Sequence, residues 1–173
     1  MRIAVNTRFL QKNRLEGYGY FIQELMQRIT IKHPEHQFLF LFDRDFDKSF
    51  IYNTNINSKV IGPKARHPLS FKYWYDVQLS RAAKKFKADV IVSLDGFCSL
   101  TSSIPQILAV HDLAYLHYPD FIPWYHLWFY KLYQKKFLQK AKHIVTVSEF
   151  SKQDIINNFK IPAENALTSG FTL

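Results

Sequence analysis

The stretch PQILAVHDLAYLHYP, from Pro105 to Pro119, decides how this chain is expected to fold. Its apolar run over residues 107–110 is bounded by a proline and by the polar pair His111-Asp112, which is typical of a strand buried on both faces. Open α/β sheets bind ligands at the carboxyl ends of their strands, where this pair would lie. The stretch therefore predicts a parallel strand. It leaves open whether His111 serves a site or is a histidine satisfied by backbone at a strand end.

Similar apolar runs predict the other strands of the same sheet, and apolar residues at helical spacing predict the helices between them. The expected strands are residues 2–6, 37–42, 89–93 and 143–147, with a short one at 59–61. The expected helices are residues 20–31, 69–87, 123–140 and 148–158. This alternation predicts an α/β fold, a Rossmann-like doubly wound, mostly parallel sheet with helices on both faces. The domain is expected to span residues 1–162, with 47–58 as a loop and 163–173 as a C-terminal tail.

Length and composition indicate one globular domain with a full hydrophobic core, since the chain has 173 residues and is 47% hydrophobic. The single cysteine, Cys98, excludes an internal disulfide framework and suits a reducing cytosol. No charged-then-apolar leader precedes the first strand, and no uncharged apolar run has the length needed to cross a bilayer. We therefore expect a cytoplasmic protein.

The charge balance is strongly basic, with 23 lysines and arginines against 14 acidic residues and a net charge of +9. A solvated basic surface explains this balance. Attraction to anionic lipid, to phosphorylated substrates or to nucleic acid would explain it as well. Because no nucleic-acid-binding motif accompanies the charge, we expect no nucleic-acid partner.

Four loops follow the carboxyl ends of predicted strands, and they begin near Gly17, Asp95, His111 and Ser148. In a doubly wound sheet these loops emerge on one edge, so they are expected to line a single cleft. Gly17 and Gly19 would let backbone amides approach a phosphate at the start of the first helix, although a glycine that simply makes the turn is the alternative. Ile22 occupies the place of a third glycine, which disfavours dinucleotide redox chemistry.

The polar residues of this predicted cleft suggest binding and proton transfer without a metal. His111 could donate a hydrogen bond to a sugar or phosphate, or act as acid or base. Asp112 most simply orients or caps the adjoining loop, and Asp95 lies in a loop rich in hydroxyl side chains. The remaining histidines show no metal-ligand spacing, and Cys98 has no partner, so no metal is expected.

The predicted helix over residues 123–140 carries a distinctive surface, because no acidic residue lies between Asp120 and Glu149. On a helical projection one side holds tryptophans and lysines: Trp124, Trp128, Lys131 and Lys135. The other side is apolar and is expected to face the core: Leu127, Tyr130, Phe137, Leu138 and Ala141. Tryptophan interleaved with lysine suits an anionic membrane surface. The alternative is aromatic packing against a neighbouring helix, a second domain or a partner chain.

Three segments, in this order and spacing, resemble the N-terminal domain of the group 1 (family 4) glycosyltransferases, which have the two-domain GT-B fold. GYGYFIQEL (Gly17–Leu25) is similar to the glycine loop and first helix of that family. VHDLAYLHYPDF (Val110–Phe121) is similar to its His-Asp segment. IVTVSEFSKQDI (Ile144–Ile155) is similar to its Val-Ser-x-x-Ser segment. The resemblance covers residues 1–162.

The resemblance implies transfer of a sugar from a nucleotide-sugar to a glycan, lipid or small-molecule acceptor, with retained anomeric configuration and no metal or other cofactor. In such enzymes the N-terminal domain mainly holds the acceptor. The glycine loop faces the donor diphosphate, which maps to Gly17 and Gly19, and the histidine near the transferring sugar maps to His111 as the catalytic residue. Amides and cations aimed at the leaving phosphate would lower the barrier, because charge builds there. Polysaccharide biosynthesis is the corresponding process.

The sequence also departs from the family pattern. Glu16 stands where many members have another glycine, and residues 164–173 lack the Pro-Asn-Gly-like passage expected after the last helix. The nucleotide-sugar-binding C-terminal domain of the family, with its paired glutamates, is absent from these 173 residues. The chain therefore resembles half of an enzyme and is expected to be inactive alone. The alternative function is a non-catalytic module that docks on the inner face of a membrane, or on a partner, through the helix that carries Trp124 and Lys131.

Overall fold

A computed structural model describes residues 1–12, 15–65 and 68–168, and its centre is a seven-stranded parallel sheet. The strands are β1 (Arg2–Asn6), β2 (Gln37–Phe42), β3 (Ile56–Val60), β4 (Val90–Ser93), β5 (Gln106–Ala109), β6 (His143–Thr146) and β7 (Ala166–Thr168). Their order in the sheet is β3-β2-β1-β4-β5-β6-β7, and every neighbouring pair is parallel. The order reverses direction at β1, so the predicted Rossmann-like doubly wound fold is confirmed.

The helices lie in the connections between the strands. They are α1 (Gly17–Lys32), α2 (Pro68–Tyr73), α3 (Ser80–Phe86), α4 (Ala114–His117), α5 (Trp124–Lys140) and α6 (Glu149–Phe159). A π-helical segment, Trp74–Leu79, joins α2 to α3, and short 3-10 turns occupy Lys48–Phe50, Pro119–Phe121 and Ala163–Asn165.

The side-chain alternation of the strands divides the core between the two faces of the sheet. On one face, Ile22 and Met26 of α1 pack in a buried cluster with Phe40 of β2. On the opposite face, Trp74 packs in a buried cluster with Ala4 of β1, Leu41 of β2 and Ile91 of β4. Helix α5 packs on the same face, over β5 and β6. Helices thus pack on both faces of the sheet that carries the site-bearing loops.

One part of the sheet is only half-buried. Right-handed crossovers place the connections from β5 to β7 on the face opposite α1. On the α1 side, strand residues beyond the helix line an apolar groove of about 420 Å³. Its strand residues include Val90, Val92, Ile107 and Val145, each of intermediate exposure.

Several element boundaries differ from the sequence-based expectation, for identifiable reasons. The edge strand is expected only at residues 59–61, whereas β3 begins at Ile56. The sequence INSKV buries a single residue, so its apolar signal is too weak to predict the start of the strand. Residues 163–168, expected as part of a tail, instead form a 3-10 turn and β7, which pairs with β6. Residues 169–173 of that expected tail lie outside the described residues.

The helical boundaries differ as well. Helix α1 begins at Gly17 rather than at Tyr20, so both glycines belong to its first turn. The helix expected over residues 69–87 is interrupted by the π-helical segment. The short helix α4 directly after Asp112 was not predicted, since four residues carry no periodicity.

Candidate functional site

His111 lies just beyond the carboxyl end of β5, where parallel pairing continues for one more residue through the Val110 N–H and the Val145 carbonyl at 2.9 Å. Its Nε2 lies 3.3 Å from the carbonyl oxygen of Leu94. A carbonyl only accepts, so Nε2 carries the proton and donates. The ring is also held by edge contacts with Tyr18 and Phe21, each at 4.7 Å between centroids. His111 is therefore fixed from three sides.

The environment of His111 favours a neutral imidazole. Loss of solvent lowers the pKa of His111 below its ordinary value, and this outweighs the opposing effects of the Leu94 carbonyl and of Asp112 and Asp95. With its one proton directed at Leu94, the neutral ring has Nδ1 as its lone-pair nitrogen. His111 can thus accept a hydrogen bond from a hydroxyl group through Nδ1.

Asp95 follows β4 and is the centre of a buried polar network. Its Oδ2 accepts hydrogen bonds from Asn6 Nδ2 at 2.9 Å, Arg8 Nε at 2.8 Å and the Tyr75 hydroxyl at 2.5 Å. Its Oδ1 is buried and has no hydrogen-bond partner among the described residues. One carboxylate oxygen thus has three donors, whereas the other is closed to solvent and has no donor among the described residues.

Arg8 supplies the positive charge of this network. Its side chain is only 11% exposed, lies over the rings of Phe9 and Phe71, and donates through Nη1 to the Ala65 carbonyl at 3.2 Å. Burial works against the charged guanidinium, but Tyr75 and Asp95 outweigh it and raise the pKa of Arg8. The guanidinium is therefore committed to Asp95 and is no free ligand for phosphate.

The sequence analysis missed Asn6, Arg8 and Tyr75. Asn6 is the last residue of β1, so the rule that selected His111, a polar residue at a strand end, would have selected it too. Tyr75 lies in the π-helical segment, a kind of distortion that frequently accompanies functional sites.

A cavity of about 90 Å³ opens beside these groups. The polar residues that line it are Tyr18, Asp95, His111, Asp112, Tyr130 and Gln134, and Gly96, whose φ of 86° turns the chain after β4, lines it as well. Burial raises the pKa of Tyr18, so its hydroxyl stays protonated at neutral pH. Three of the predicted cleft residues, Asp95, His111 and Asp112, therefore meet at one cavity.

Asp112 and Ser148 hold the loops in place. Asp112 Oδ1 accepts from the Ala114 N–H at 2.9 Å, which is the capping arrangement expected of it. Ser148 Oγ accepts from the Ser151 N–H at 3.1 Å at the start of α6. Ser151 Oγ in turn donates to the His111 carbonyl at 2.9 Å. Ser148 is not among the residues that line the cavity; it reaches His111 through Ser151.

The two glycines differ in their surroundings. An ideal Cβ placed on Gly17 would meet no atom within 4 Å. A Cβ on Gly19 would lie 2.8 Å from both the Phe9 carbonyl oxygen and the Leu15 side chain. Close packing explains Gly19, whereas Gly17 at the open first turn of α1 has unobstructed space in front of it. Phosphate binding by both glycines stays a prediction.

The tryptophan–lysine side of α5 faces away from the core. Trp124 and Trp128 are 79% and 59% exposed, and Lys131 and Lys135 are exposed as well. On the opposite side Phe137, Leu138 and Ala141 are buried, while Leu127 and Tyr130 are half-buried, as the helical projection predicted. Three further exposed aromatic side chains come from the residues that precede α5 and from α6: Tyr118, Phe121 and Phe150.

Other features bear on membranes, redox chemistry and metals. No helix within the described residues is long and apolar enough to cross a membrane. Cys98 is buried, and loss of solvent raises its pKa to about 12, which keeps the thiol protonated. Away from the cavity, the described residues His33, Glu35 and His36 have their ligand atoms close enough together to hold a metal ion. The spacing of the histidines in the sequence predicts no metal site. His67 lies outside the described residues.

The doubly wound sheet, with its cavity at the carboxyl ends of β4 and β5, is the arrangement of a ligand-binding α/β domain. The chain belongs to glycosyltransferase family 4, because the model of that family matches residues 19–166. The match includes Asp95, His111 and Ser148 and extends into β7, but begins after Gly17. No curated protein matches the sequence.

Two solved structures have a similar fold. HepE from Anabaena, crystallised in complex with UDP and glucose, superimposes with a TM-score of 0.58 at 13% identity, over 97% of this chain and 44% of HepE. A glycosyltransferase from Rickettsia africae superimposes with a TM-score of 0.52 at 14% identity, over 96% of this chain and 42% of that protein. At these identities the likeness shows the fold alone. The chain spans less than half the length of either structure.

Proposed function

We propose that this chain is the acceptor-side domain of a retaining glycosyltransferase, which transfers a sugar from a nucleotide-sugar to a glycan, lipid or small-molecule acceptor. The observation that carries the proposal is the cavity at the ends of β4 and β5, where His111 and Asp95 meet within a family 4 domain. A structurally similar protein, HepE, was crystallised with UDP and glucose, which is consistent with a nucleotide-sugar donor.

In this proposal His111 contacts the transferring sugar as a neutral hydrogen-bond acceptor. Its Nε2 proton is directed at the Leu94 carbonyl, so Nδ1 is the nitrogen offered to a sugar hydroxyl. The lowered pKa keeps that lone pair available at neutral pH. The contacts with Tyr18 and Phe21 fix the ring before substrate arrives, which reduces the entropic cost of positioning it.

Asp95 holds the acceptor in this proposal. Its Oδ1 is buried and lacks a partner among the described residues, so it would accept from an acceptor hydroxyl group once a small movement of the cavity wall exposes it. The bonds from Asn6, Arg8 and Tyr75 keep the second oxygen in place. The cavity of about 90 Å³ has room for the edge of a sugar ring, whose hydroxyl groups its polar residues would bind.

The donor diphosphate would approach the first turn of α1. The first amides of a helix have no partner within the helix and carry the positive end of its dipole. Gly17 leaves open space at that turn. As the bond to the leaving phosphate breaks, negative charge grows there, and the amides stabilise it without a metal.

The rest of the donor site would come from a second domain. The chain spans 44% of HepE and 42% of the Rickettsia protein, so more than half of each fold has no counterpart here. We accordingly expect the 173-residue polypeptide to bind acceptor-type sugars and to turn over no nucleotide-sugar. We expect it to act in the cytoplasm, in polysaccharide biosynthesis.

Saturation-transfer NMR with a panel of methyl hexopyranosides tests the proposal on the purified chain. Transfer to at least one glycoside is expected, with loss of the signal in His111→Phe and in Asp95→Asn. Asp45→Asn, at an exposed residue that does not line the cavity, is the matched control and should bind as the parent does. Absence of saturation transfer to every glycoside would contradict the acceptor role. Hydrolysis of UDP-glucose by the chain, or transfer of its glucose, would contradict the expectation that the chain alone is inactive.

A second candidate role, which is compatible with the first, is docking on an anionic membrane surface. The observation in its favour is a set of exposed aromatics and lysines on and beside α5, with Phe121 84% exposed and Trp124 79% exposed. Rings of this kind insert at the headgroup level, and lysines add attraction to anionic lipid. A partner chain would use the same surface.

Sedimentation with phosphatidylcholine vesicles, with and without phosphatidylglycerol, tells docking on an anionic membrane from docking on a partner chain. Membrane docking predicts binding only to the anionic vesicles, with loss in Trp128→Ala/Lys135→Ala. The matched control is Lys84→Ala/Lys85→Ala on α3, which removes two exposed lysines without touching an aromatic. Equal binding by both double variants would indicate a non-specific charge effect.

A further inference from the structure

The turn that joins α1 to β2 brings two imidazoles and a carboxylate together at the surface. His33 Nδ1 lies 3.1 Å from Glu35 Oε1, and His36 Nδ1 lies 3.3 Å from the same oxygen. The three ligand atoms all lie within 4.8 Å of one another. We propose that this turn is a binding site for a divalent transition-metal ion, of which Zn²⁺ is the representative.

The distances between these atoms match those of ligands around such an ion. A tetrahedral Zn²⁺ holds nitrogen and oxygen ligands at about 2.1 Å, which separates neighbouring ligand atoms by about 3.4 Å. Two of the three separations, 3.1 and 3.3 Å, are already close to that value. A metal ion would take the place of the proton between His33 and Glu35, and it would displace the N-terminal ammonium group that lies 3.5 Å from His36 Nδ1.

The backbone holds the three residues in this arrangement. The His33 N–H donates to the Ile29 carbonyl at 3.0 Å, which fixes it to the last turn of α1, and the His36 N–H donates to the His33 carbonyl at 3.1 Å. This closed turn stacks the two imidazole rings, with centroids 5.4 Å apart and planes 19° apart. The backbone of the turn is therefore already ordered before a metal ion binds.

The donor set indicates the class of metal. Two imidazole nitrogens and one carboxylate oxygen suit Zn²⁺, Co²⁺, Ni²⁺ or Cu²⁺, whereas Mg²⁺ and Ca²⁺ prefer oxygen ligands. The side chains of His33 and Glu35 are 51% and 59% exposed, which leaves water free to complete the coordination.

The site is separate from the cavity of the proposed transfer reaction. It precedes β2, at the amino-terminal edge of the sheet, whereas His111 lies beyond the carboxyl end of β5. A metal ion here would link the end of α1 to the start of β2 and so stabilise the fold, and it would take no part in sugar transfer. The proposal therefore does not depend on the proposed function.

Titration of the untagged, metal-free chain with Co²⁺ tests the proposal, because tetrahedral Co²⁺ absorbs strongly in the visible range. One equivalent is expected to bind, Zn²⁺ should displace it, and Mg²⁺ should not. His33→Gln/His36→Gln should weaken binding at least tenfold and should abolish the rise in Tm that Zn²⁺ gives the parent. His126→Gln, an exposed histidine on α5, is the matched control and should bind as the parent does.

Two results would overturn the proposal. One is the absence of saturable Co²⁺ binding by the parent chain. The other is a loss of Co²⁺ affinity in the double variant that is less than tenfold or that the control shares equally. Far-UV circular dichroism of each variant verifies that it is folded, so a loss of binding reports on the ligands themselves.

Discussion

Arg8→Met is the perturbation that tests the buried network most sharply. The substitution keeps much of the side-chain length but removes the cation that pairs with Asp95 at 2.8 Å. Asp95 is 2% exposed, so its charge would remain in a nearly dry environment. Breaking a buried ion pair by removing one partner costs about 3–5 kcal/mol.

The structure places the expected cost near the lower end of that range. Asp95 Oδ2 keeps two donors in the variant, Asn6 Nδ2 at 2.9 Å and the Tyr75 hydroxyl at 2.5 Å. Both continue to stabilise the carboxylate. We therefore expect the free energy of unfolding to fall by about 3 kcal/mol, a large part of the stability of a small domain.

Urea unfolding at pH 7, followed by circular dichroism, measures this loss, and a second substitution identifies its cause. Asp95→Asn in the Arg8→Met background removes the unpaired charge. The double variant should therefore lose about 2 kcal/mol less free energy of unfolding than the two single variants lose in sum. A loss of less than about 1 kcal/mol in Arg8→Met, or strictly additive losses, would refute the reasoning.

Two further predictions concern the glycines and the histidine. Gly19→Ala should lower the free energy of unfolding by about 1–3 kcal/mol, because its Cβ would lie 2.8 Å from the Phe9 carbonyl oxygen, whereas Gly17→Ala, with open space around it, should not destabilise. Parallel urea titrations of the two variants check this, and equal losses would contradict it. His111 has a lowered pKa when folded, so the unfolded chain binds more protons, and stability should fall as the pH drops below about 6.5. His111→Gln should show a shallower fall in a pH series of thermal unfolding, and an unchanged slope would contradict the shift.

The strands and the position of His111 could be predicted because their signals are local. Apolar runs such as residues 107–110 become buried parallel strands in any open α/β sheet, and the residue after such a run lies at the binding edge. The weakest elements, β3 and β7, escaped prediction in whole or in part because they bury one residue each.

The buried network could not be predicted, because its members are far apart in sequence. Tyr75 and Asp95 are twenty residues apart and meet Arg8 only when β1 and β4 pair and the π-helical segment turns the phenol inward. His33 and His36 illustrate the opposite case, a local cluster. The two histidines are three residues apart, a spacing that metal ligands can have, but they lie beyond the end of α1, so their proximity depends on the closed turn there.

The central claim is that a fixed, neutral His111 presents Nδ1 to a sugar in the cavity of a glycosyltransferase domain. Imidazole ¹⁵N NMR of the chain at pH 7, in the presence and absence of saturating methyl hexopyranoside, tests it most directly. The account predicts the Nε2–H tautomer for His111 and a shift of its Nδ1 resonance when the sugar binds. A protonated ring, the Nδ1–H tautomer, or an Nδ1 resonance that no glycoside moves would contradict it.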